Sequence, residues 1–340
     1  MRPLRSNLLL FLTVGALSAP QPSQAQETRV LLVVGLGGDP EYRELFLGRA
    51  LEFTSAMEGL GVPRGNIVYL GERPDDAPEA IQARSTKENV ASVLAGMAGE
   101  AETGDRILVV LIGHGTSQGG EARFNLPGPD LTPADLDVML GAFPAQTVAV
   151  VNTTPASGPF LAALSGAGRV ILTATRSAQE RNETQFGGYF VEALADEGSD
   201  LDKDGRISLL EAFDYARREV ERYYETRNLL ATEHPVLDDD GDGEGSADPG
   251  ADGPDGSLAR TFWLGGGRRE RGVLGEVPEG INDPELRGLY LEKADLERRV
   301  AELRALKSQM EESRYEQELE DLLVALALKN REIREKGGGE

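Results

Sequence analysis

The stretch RILVVLIGHGT at residues 106–116 decides the fold class. Its apolar run Ile107–Ile112 lies between a charged pair and a Gly-His-Gly turn, which is typical of a strand buried on both faces of a parallel sheet. In open α/β sheets, binding sites form in the loops at the carboxyl ends of such strands. We therefore expect His114 at that edge, either as a functional group or as a hydrogen-bonded residue of a tight turn.

Apolar strand patterns and helical patterns alternate on both sides of this stretch. The alternation predicts an α/β fold with three layers, in which helices cover both faces of a mostly parallel sheet. The sequence Ser85-Thr86-Lys87-Glu88 predicts a capping box that starts a helix reaching about Gly99. The other predicted elements are strands at Thr28–Val34 and Asn66–Leu70, a helix at Pro40–Leu60, and strands within Gln146–Gly158 and Gly168–Ser177.

The ends of three of these strands resemble those of the legumain and caspase peptidases. In that family one strand ends in His-Gly, the next in a Glu/Asp-Ala-Cys-x-Ser-Gly turn, and the third in Thr-Ala-Ala or a similar sequence. This chain has His114-Gly115, then TTPASG at 153–158, then TAT at 173–175. The likeness covers about residues 28–230, and TATRSAQERNETQFGGYFVEAL at 173–194 resembles bacterial legumain-like proteins. It implies a caspase-like or legumain-like fold.

The resemblance also implies that the catalytic cysteine is missing. Aligned on the Ser-Gly pair, the cysteine position is Pro155 and the acidic position is Thr153. In these peptidases the oxyanion is stabilised by the backbone N–H of the nucleophile and by that of the glycine after the histidine, and proline has no N–H. Losing one such donor lowers the rate by about 10²–10³. The likeness therefore implies a pseudo-peptidase with degenerate catalytic residues His114 and Gly115, which acts as a binding or scaffolding protein for a peptide or protein partner.

Hydroxyl side chains near Pro155 leave an alternative open. Thr153, Thr154 or Ser157 would make the chain an active hydrolase if His114 served as the base. A neutral hydroxyl needs a well-placed base and usually a group that orients the base. The sequence identifies no such orienting group.

The loop after the first strand, GLGGDPEYRELF at 35–46, contains a second short resemblance. Its Tyr42-Arg43 pair resembles the stretch in which legumain places an arginine of the substrate pocket, so Arg43 is a candidate for that role. The alternative is an exposed arginine in the first turn of a helix. The glycines lack the G-x-G-x-x-G spacing of a dinucleotide site.

The segment DLDKDGRISLLE at 200–211 matches every position of an EF-hand loop. Calcium takes six to eight oxygen ligands, and this spacing supplies them at the start of a helix at Leu209–Thr226. The sequence therefore predicts Ca²⁺ as a cofactor, the alternative being an acidic loop that only caps the helix. The candidate ligands are Asp200, Asp202, Asp204, the carbonyl group of Arg206, Ser208 and the bidentate Glu211.

A second acidic segment, DDDGDGEGS at 238–246, repeats the early part of this spacing. Its twelfth position is Pro249, so the bidentate glutamate is missing. The segment is glycine-rich and strongly acidic, which is typical of an extended chain unless cations neutralise it. Both a solvated linker and a second, weaker calcium loop remain open.

Residues 281–340 are helical in type, with apolar residues near heptad spacing and a phase shift at about 311–314. The shift indicates two helices or a stutter. Self-association as a coiled coil, packing on the core and a partner protein all remain open as the role of the apolar seam. The seam consists of Leu289, Leu296, Val300, Leu303 and Met310, followed by Tyr315, Leu319, Leu322, Leu326 and Ile333.

The N-terminus and the composition predict an exported protein. Residues 1–25 have a basic start, a short apolar stretch and a small-residue site, which predicts a signal peptide cleaved near Ala25 and export to a periplasm or the exterior. The apolar stretch is too short to span a bilayer. A net charge of −23 makes nucleic acid a poor partner. The predicted divisions are 1–25, an α/β domain at 26–230, an acidic loop and linker at 231–280, and a helical tail at 281–340.

Overall fold

The computed structural model describes residues 26–119, 121–250, 253–265 and 312–337, together with part of residues 286–303. The predicted fold class is confirmed, because a seven-stranded, mostly parallel sheet lies between two layers of helices. The strands are β1 (Thr28–Val34), β2 (Ile67–Gly71), β3 (Ala83–Arg84), β4 (Arg106–Ile112), β5 (Gly115–Gln118), β6 (Glu121–Phe124), β7 (Thr147–Asn152), β8 (Arg169–Thr173) and β9 (Val236–Asp238). The helices are α1 (Pro40–Gly59), α2 (Lys87–Glu100), α3 (Pro133–Leu140), α4 (Gly158–Leu164), α5 (Phe186–Ala193), α6 (Leu209–Thr226), α7 (Ser257–Thr261) and α8 (Glu312–Gly337).

The sheet has the strand order β3-β2-β1-β4-β7-β8-β9, and only β9 runs antiparallel to its neighbour. β4 is central, and all seven of its residues are buried, as its unbroken apolar run predicts. Alternate residues of the strands face two separate apolar clusters, one under α1, α5 and α6 and the other under α2, α3 and α4. The carboxyl ends of β1, β4 and β7 therefore lie side by side. β5 and β6 form a separate antiparallel pair directly after His114.

Side-chain caps fix the starts of several helices. The Ser208 hydroxyl accepts from the backbone of Glu211, whose carboxylate accepts in return from Ser208, which forms a capping box at the start of α6. The capping box predicted at Ser85 is wrong by one residue, since α2 begins after Thr86, whose hydroxyl accepts from the Asn89 N–H at 3.3 Å. The backbone of Ser85 is held instead by a hydrogen bond to Gly71.

Both ends of the segment 236–265 pack into the core, while most of residues 240–250 are exposed and residues 251–252 are not described. β9 pairs with β8, and α7 is followed by Phe262 and Leu264, each with a relative exposure of 1%. After α7, a single bridge joins Ser208 and Trp263. A few apolar side chains therefore anchor this acidic segment to the core.

In the tail, the two described helical parts contact each other. Lys329 on α8 pairs with Glu292 at 2.6 Å, and seam residues on both parts, Val300 and Ile333 among them, are buried. Leu323, Val324 and Leu328 are exposed on another face of α8. Formation of a homo-oligomer through the apolar seam stays a prediction. The predicted signal peptide and Met310 lie outside the described residues. None of the described helices is both long and apolar enough to cross a membrane.

Candidate functional site

The turn after β4 and the turn after β7 lie against each other at the carboxyl edge of the sheet. A Cβ atom on Gly115 would clash with the carbonyl oxygen of Pro155 and would lie 2.6 Å from the hydroxyl of Thr154. Only glycine allows this approach. The structure thus brings together the two turns that the sequence resemblance paired.

His114 is half-buried and held by its surroundings. Its ring is packed edge-on against Tyr42 and Phe46, with ring centroids 4.6 Å and 5.0 Å away. Its Nε2 atom lies 3.2 Å from the carbonyl oxygen of Gly37, so the nitrogen donates when it carries the proton. The loop after β1 is therefore tied to the end of β4 by this ring.

The candidate nucleophiles after β7 are all buried and hydrogen-bonded within the fold. The Thr153 hydroxyl donates to a carbonyl oxygen at the end of β4 at 2.8 Å, and the Thr154 hydroxyl donates to the side chain of Asn152 at 2.8 Å. The Ser157 hydroxyl shares a hydrogen bond of 3.0 Å with Thr175. None of these three hydrogen bonds reaches the histidine, so the structure does not assemble a nucleophile with its base.

The backbone at Pro155 also lacks an oxyanion donor. Proline carries no N–H, and the next N–H, that of Ala156, donates to the carbonyl oxygen of Glu180 at 2.7 Å. Ala156 has a φ of 54° in the left-handed region, which is unusual for a residue with a side chain. The turn keeps a sharp shape, but its N–H groups point to internal acceptors.

Arg43 lies in the first turn of α1 and pairs with an internal carboxylate. Its Nε atom is 3.5 Å from Oε2 of Glu72, and the same oxygen accepts from the Gly37 N–H at 2.9 Å. The cavity beside it has a volume of about 10 Å³, enough for one water molecule. Arg43 and Glu72 therefore hold the same loop that His114 contacts from the other side.

The predicted EF-hand segment, here named loop A (residues 200–211), gathers its carboxylates. One carboxylate oxygen from each of Asp200, Asp202 and Asp204 lies within 4.8 Å of the others. Gly205 has a φ of 82°, which suits the sharp turn expected at this position. Backbone N–H groups within the loop donate to all three aspartates. Loop A therefore offers a preformed group of oxygens at the start of α6.

Glu211 closes loop A. Its Oε2 atom accepts from the N–H and the hydroxyl of Ser208 at 2.9 Å and 2.8 Å, and its Oε1 atom accepts from the N–H groups of Leu201 and Asp202 at 2.9 Å and 3.3 Å. The carboxylate thus joins both ends of the loop to the first turn of α6. The side chain of Arg206 stacks on Trp263 at 4.2 Å, and its Nε atom lies 3.8 Å from Oδ2 of Asp204, so its charge partly offsets that of the aspartate. Its backbone carbonyl remains the candidate ligand.

Burial makes the charges of loop A costly. It raises the pKa values of Asp200, Asp204 and Glu211 above their ordinary values, because each carboxylate loses contact with water. Nearby Asp202 adds like-charge repulsion to each of these pKa values. A bound cation would relieve both effects.

The second acidic segment forms a related loop, here named loop B (residues 238–255, of which 251–252 are not described). One oxygen from each of Asp238, Asp240 and Asp255 lies within 4.8 Å of the others. Asp242, which the spacing favours, is not in this group. Sequence reasoning missed Asp255, since it lies beyond the twelve-residue motif and no local signal identifies it.

Loop B repeats several backbone hydrogen bonds of loop A at matching positions. Gly243 donates to Asp238 at 2.8 Å, as Gly205 donates to Asp200 at 3.0 Å. Burial, with smaller contributions from neighbouring aspartates, raises the pKa of Asp255 to about 6. Among the described residues, no lysine, arginine or histidine pairs with this buried carboxylate of loop B.

One segment connects the two loops. The carboxylate of Asp239 in loop B accepts from the N–H groups of Gly256 and Ala259 at 2.8 Å and 2.7 Å, and so caps α7. At the other end of α7, Phe262 accepts from the N–H of Leu209, at the end of loop A, at 2.9 Å. A change in either loop thus acts on the same short helix.

Comparison with known proteins yields structural neighbours only. No family model matches the chain, and no curated protein matches its sequence. Among solved structures, the chain is similar to caspase-1 from Spodoptera frugiperda, with a TM-score of 0.39 and 10% identity over 63% of this chain and 87% of that one. It is also similar to protein GSU0716 from Geobacter sulfurreducens, with a TM-score of 0.42 and 13% identity over 62% of this chain and 92% of that one. At these levels the likeness carries no argument about chemistry, which rests on the residues described above.

Proposed function

We propose that this chain is an exported, calcium-binding pseudo-peptidase, which binds or scaffolds a peptide or protein partner and does not cleave it. The observation that carries the calcium assignment is the convergence of three loop A carboxylates within 4.8 Å. Export would expose the protein to calcium at the concentrations that extracellular modules of this type require, about 10⁻⁴–10⁻³ M.

The ligand set of loop A suits calcium. Asp200, Asp202 and Asp204 supply hard oxygens, and the carbonyl of Arg206, Ser208 and Glu211 complete the spacing of an EF-hand. In the described arrangement Glu211 already lies across the loop, held by Ser208 and by the loop's own backbone. Calcium would draw this carboxylate toward the aspartates at the cost of some of these hydrogen bonds.

A calcium titration tests the assignment. Millimolar calcium should stabilise the fold by about 1 kcal/mol through mass action, and magnesium should do less because it dehydrates reluctantly. Glu211→Gln should abolish most of the rise in melting temperature. Asp238→Asn combined with Asp240→Asn is the control for independent binding at loop B. An unmoved melting curve, with no heat of binding up to ~10 mM calcium, would refute the calcium assignment.

The assignment as a pseudo-peptidase is supported by the turn that contains Pro155. This residue removes the thiol of the resembled family and an oxyanion donor together. The buried hydroxyls of Thr153 and Thr154 donate to internal acceptors, and the buried hydroxyl of Ser157 is hydrogen-bonded to Thr175. These hydrogen bonds argue against the alternative of an active hydrolase with a hydroxyl nucleophile.

Hydrolysis assays and a reactive probe test the assignment as a pseudo-peptidase. The purified protein should cleave no peptide substrate, and His114→Ala should leave any trace rate unchanged. A fluorophosphonate probe followed by mass spectrometry should label no hydroxyl after β7. Turnover that disappears in His114→Ala, with the fold intact by circular dichroism, would establish the hydrolase instead.

Export is tested separately, by mass spectrometry of the protein recovered from its native host. The mature chain should begin at Gln26, after removal of residues 1–25. An intact N-terminus would contradict the signal peptide without affecting calcium binding.

A further inference from the structure

An open cavity of about 400 Å³ lies between α1 and α5, apart from the strand-end turns and from both acidic loops. Small apolar side chains form part of its lining. Its polar lining consists of Arg49, Glu52, Gln185, Tyr189 and Glu192, with Gly188 between them. The volume falls in the range of small-molecule sites, roughly 300–1,000 Å³.

Arg49 is the cation of this cavity, and it has no close partner in the part of the chain that the structure describes. No carboxylate oxygen there lies within 4.0 Å of its guanidinium group, and no hydrogen bond joins it to another described residue. Burial lowers the pKa of Arg49. The negative charges of Glu183, Glu233 and Glu52, which lie beyond 4.0 Å, partly offset this lowering. A half-buried guanidinium without a partner is costly, so this position favours an anion.

Gly188 leaves one side of this guanidinium open. A Cβ atom at Gly188 would lie 3.5 Å from Nη2 of Arg49, which is ordinary contact distance. A larger side chain at this helical position would therefore cover the guanidinium. With glycine, a ligand atom can occupy the same place.

The rest of the lining limits the kind of anion. A guanidinium group binds a carboxylate through two parallel hydrogen bonds. Glu52 and Glu192 are exposed on the two helices that flank the cavity, so they repel a dianion and attract an ammonium group. The Gln185 amide and the Tyr189 hydroxyl can donate to further acceptors.

We propose that the cavity between α1 and α5 binds a zwitterionic amino acid or peptide, with its terminal carboxylate on Arg49 and its ammonium group toward Glu52 and Glu192. The site is distinct from the turns around Pro155. Its occupancy depends neither on calcium nor on the loss of peptidase activity.

Isothermal titration calorimetry with four probes tests the site on the full chain. Alanyl-lysine should bind, and its C-terminal amide, which lacks the carboxylate, should bind at least about tenfold more weakly. Inorganic phosphate should also bind more weakly than alanyl-lysine, because the flanking glutamates oppose it. Free lysine distinguishes the two sources of the carboxylate, since tighter binding of lysine than of the dipeptide would identify a free amino acid.

Two variants and one control complete the test. Arg49→Gln should weaken binding of the preferred probe about tenfold or more. Gly188→Leu should also weaken binding about tenfold or more, although it keeps Arg49. Because leucine favours the helical conformation more than glycine, this variant should fold even if Arg49→Gln does not. Arg64→Gln, at an exposed arginine outside the cavity, should leave binding unchanged.

The proposal is overturned by any of three results. One is equal binding of alanyl-lysine and its amide. Another is unchanged binding in Gly188→Leu. The third is that none of the four probes gives a heat of binding at millimolar concentrations.

Discussion

Loop A and loop B share the same early spacing and several backbone hydrogen bonds, yet they are closed in different ways. Loop A is closed by Glu211, at the twelfth position of a local motif, which also caps α6. Loop B is closed by Asp255, which comes from a turn seventeen positions after Asp238 and accepts one backbone N–H, that of Asp239. The difference teaches that the first half of such a loop sets the turn, while the closing carboxylate is free to come from elsewhere.

Removal of the closing carboxylates should produce the largest difference in stability between changes in the two loops. In EGTA, Glu211→Ala should lower the free energy of unfolding by about 3 kcal/mol, because several buried donors lose their acceptor and α6 loses a cap. Asp255→Ala should change it by less than about 1 kcal/mol, since one lost hydrogen bond is offset by the removal of a buried charge. Urea denaturation measures both.

The exposed Glu221→Ala on the same helix is the control for the effect of the alanine itself. Equal losses in Glu211→Ala and Asp255→Ala would mean that the two closures are equivalent, contrary to the contrast drawn above.

The pH dependence of stability should show the unneutralised charge of loop B. The folded-state pKa of Asp255 is raised from 3.8 to about 6, so folding is penalised wherever the carboxylate is charged. Without calcium, the penalty is small below pH 4 and nearly complete above pH 6, where it amounts to about 3 kcal/mol. Asp255→Asn should therefore be more stable than the unmutated protein at pH 7 and equally stable at pH 4.

The measurement is urea unfolding across this range in EGTA, always as the difference between the two proteins, because buried Glu233, whose pKa burial raises to about 7, also titrates. Millimolar calcium should remove the advantage of the variant if the ion binds loop B. A pH profile that is identical in both proteins would show that Asp255 carries no such charge.

Calcium itself should distinguish the loops by a smaller effect. Asp200→Asn combined with Asp204→Asn should abolish most of the stabilisation of about 1 kcal/mol, whereas Asp238→Asn with Asp240→Asn should abolish less of it. Loop A has the full set of local ligands and loop B lacks the bidentate glutamate. The shift in melting temperature with calcium measures each contribution, and a reversed order would assign the main site to loop B.

The fluorescence of Trp263 should report the smallest change. This residue is the only tryptophan in the chain, and its ring stacks with Arg206 of loop A at 4.2 Å. Calcium binding to loop A should shift its emission, and the shift should disappear in Asp200→Asn with Asp204→Asn. A shift that survives in this variant would have to reach the ring from loop B through α7.

Patterns local in the chain predicted much of this structure. The apolar run before His114 predicted a central strand, and Ser208 and Glu211 lie at the spacing of calcium ligands in an EF-hand loop. The partners that join distant segments left no such pattern, as with Glu72 for Arg43, Asp255 in loop B and Gly188 beside Arg49. β9 is only three residues long and precedes an acidic run, so its composition indicated a linker.

The two outer strands of the sheet have a consequence for self-association. β3 contains two residues and β9 three, and β9 ends in Asp238, which is buried. Very short, charged edges offer few free N–H and C=O groups on which another chain could add a strand. Aggregation by continuous extension of this sheet from one molecule to the next is therefore blocked at both sides, even when the protein is concentrated.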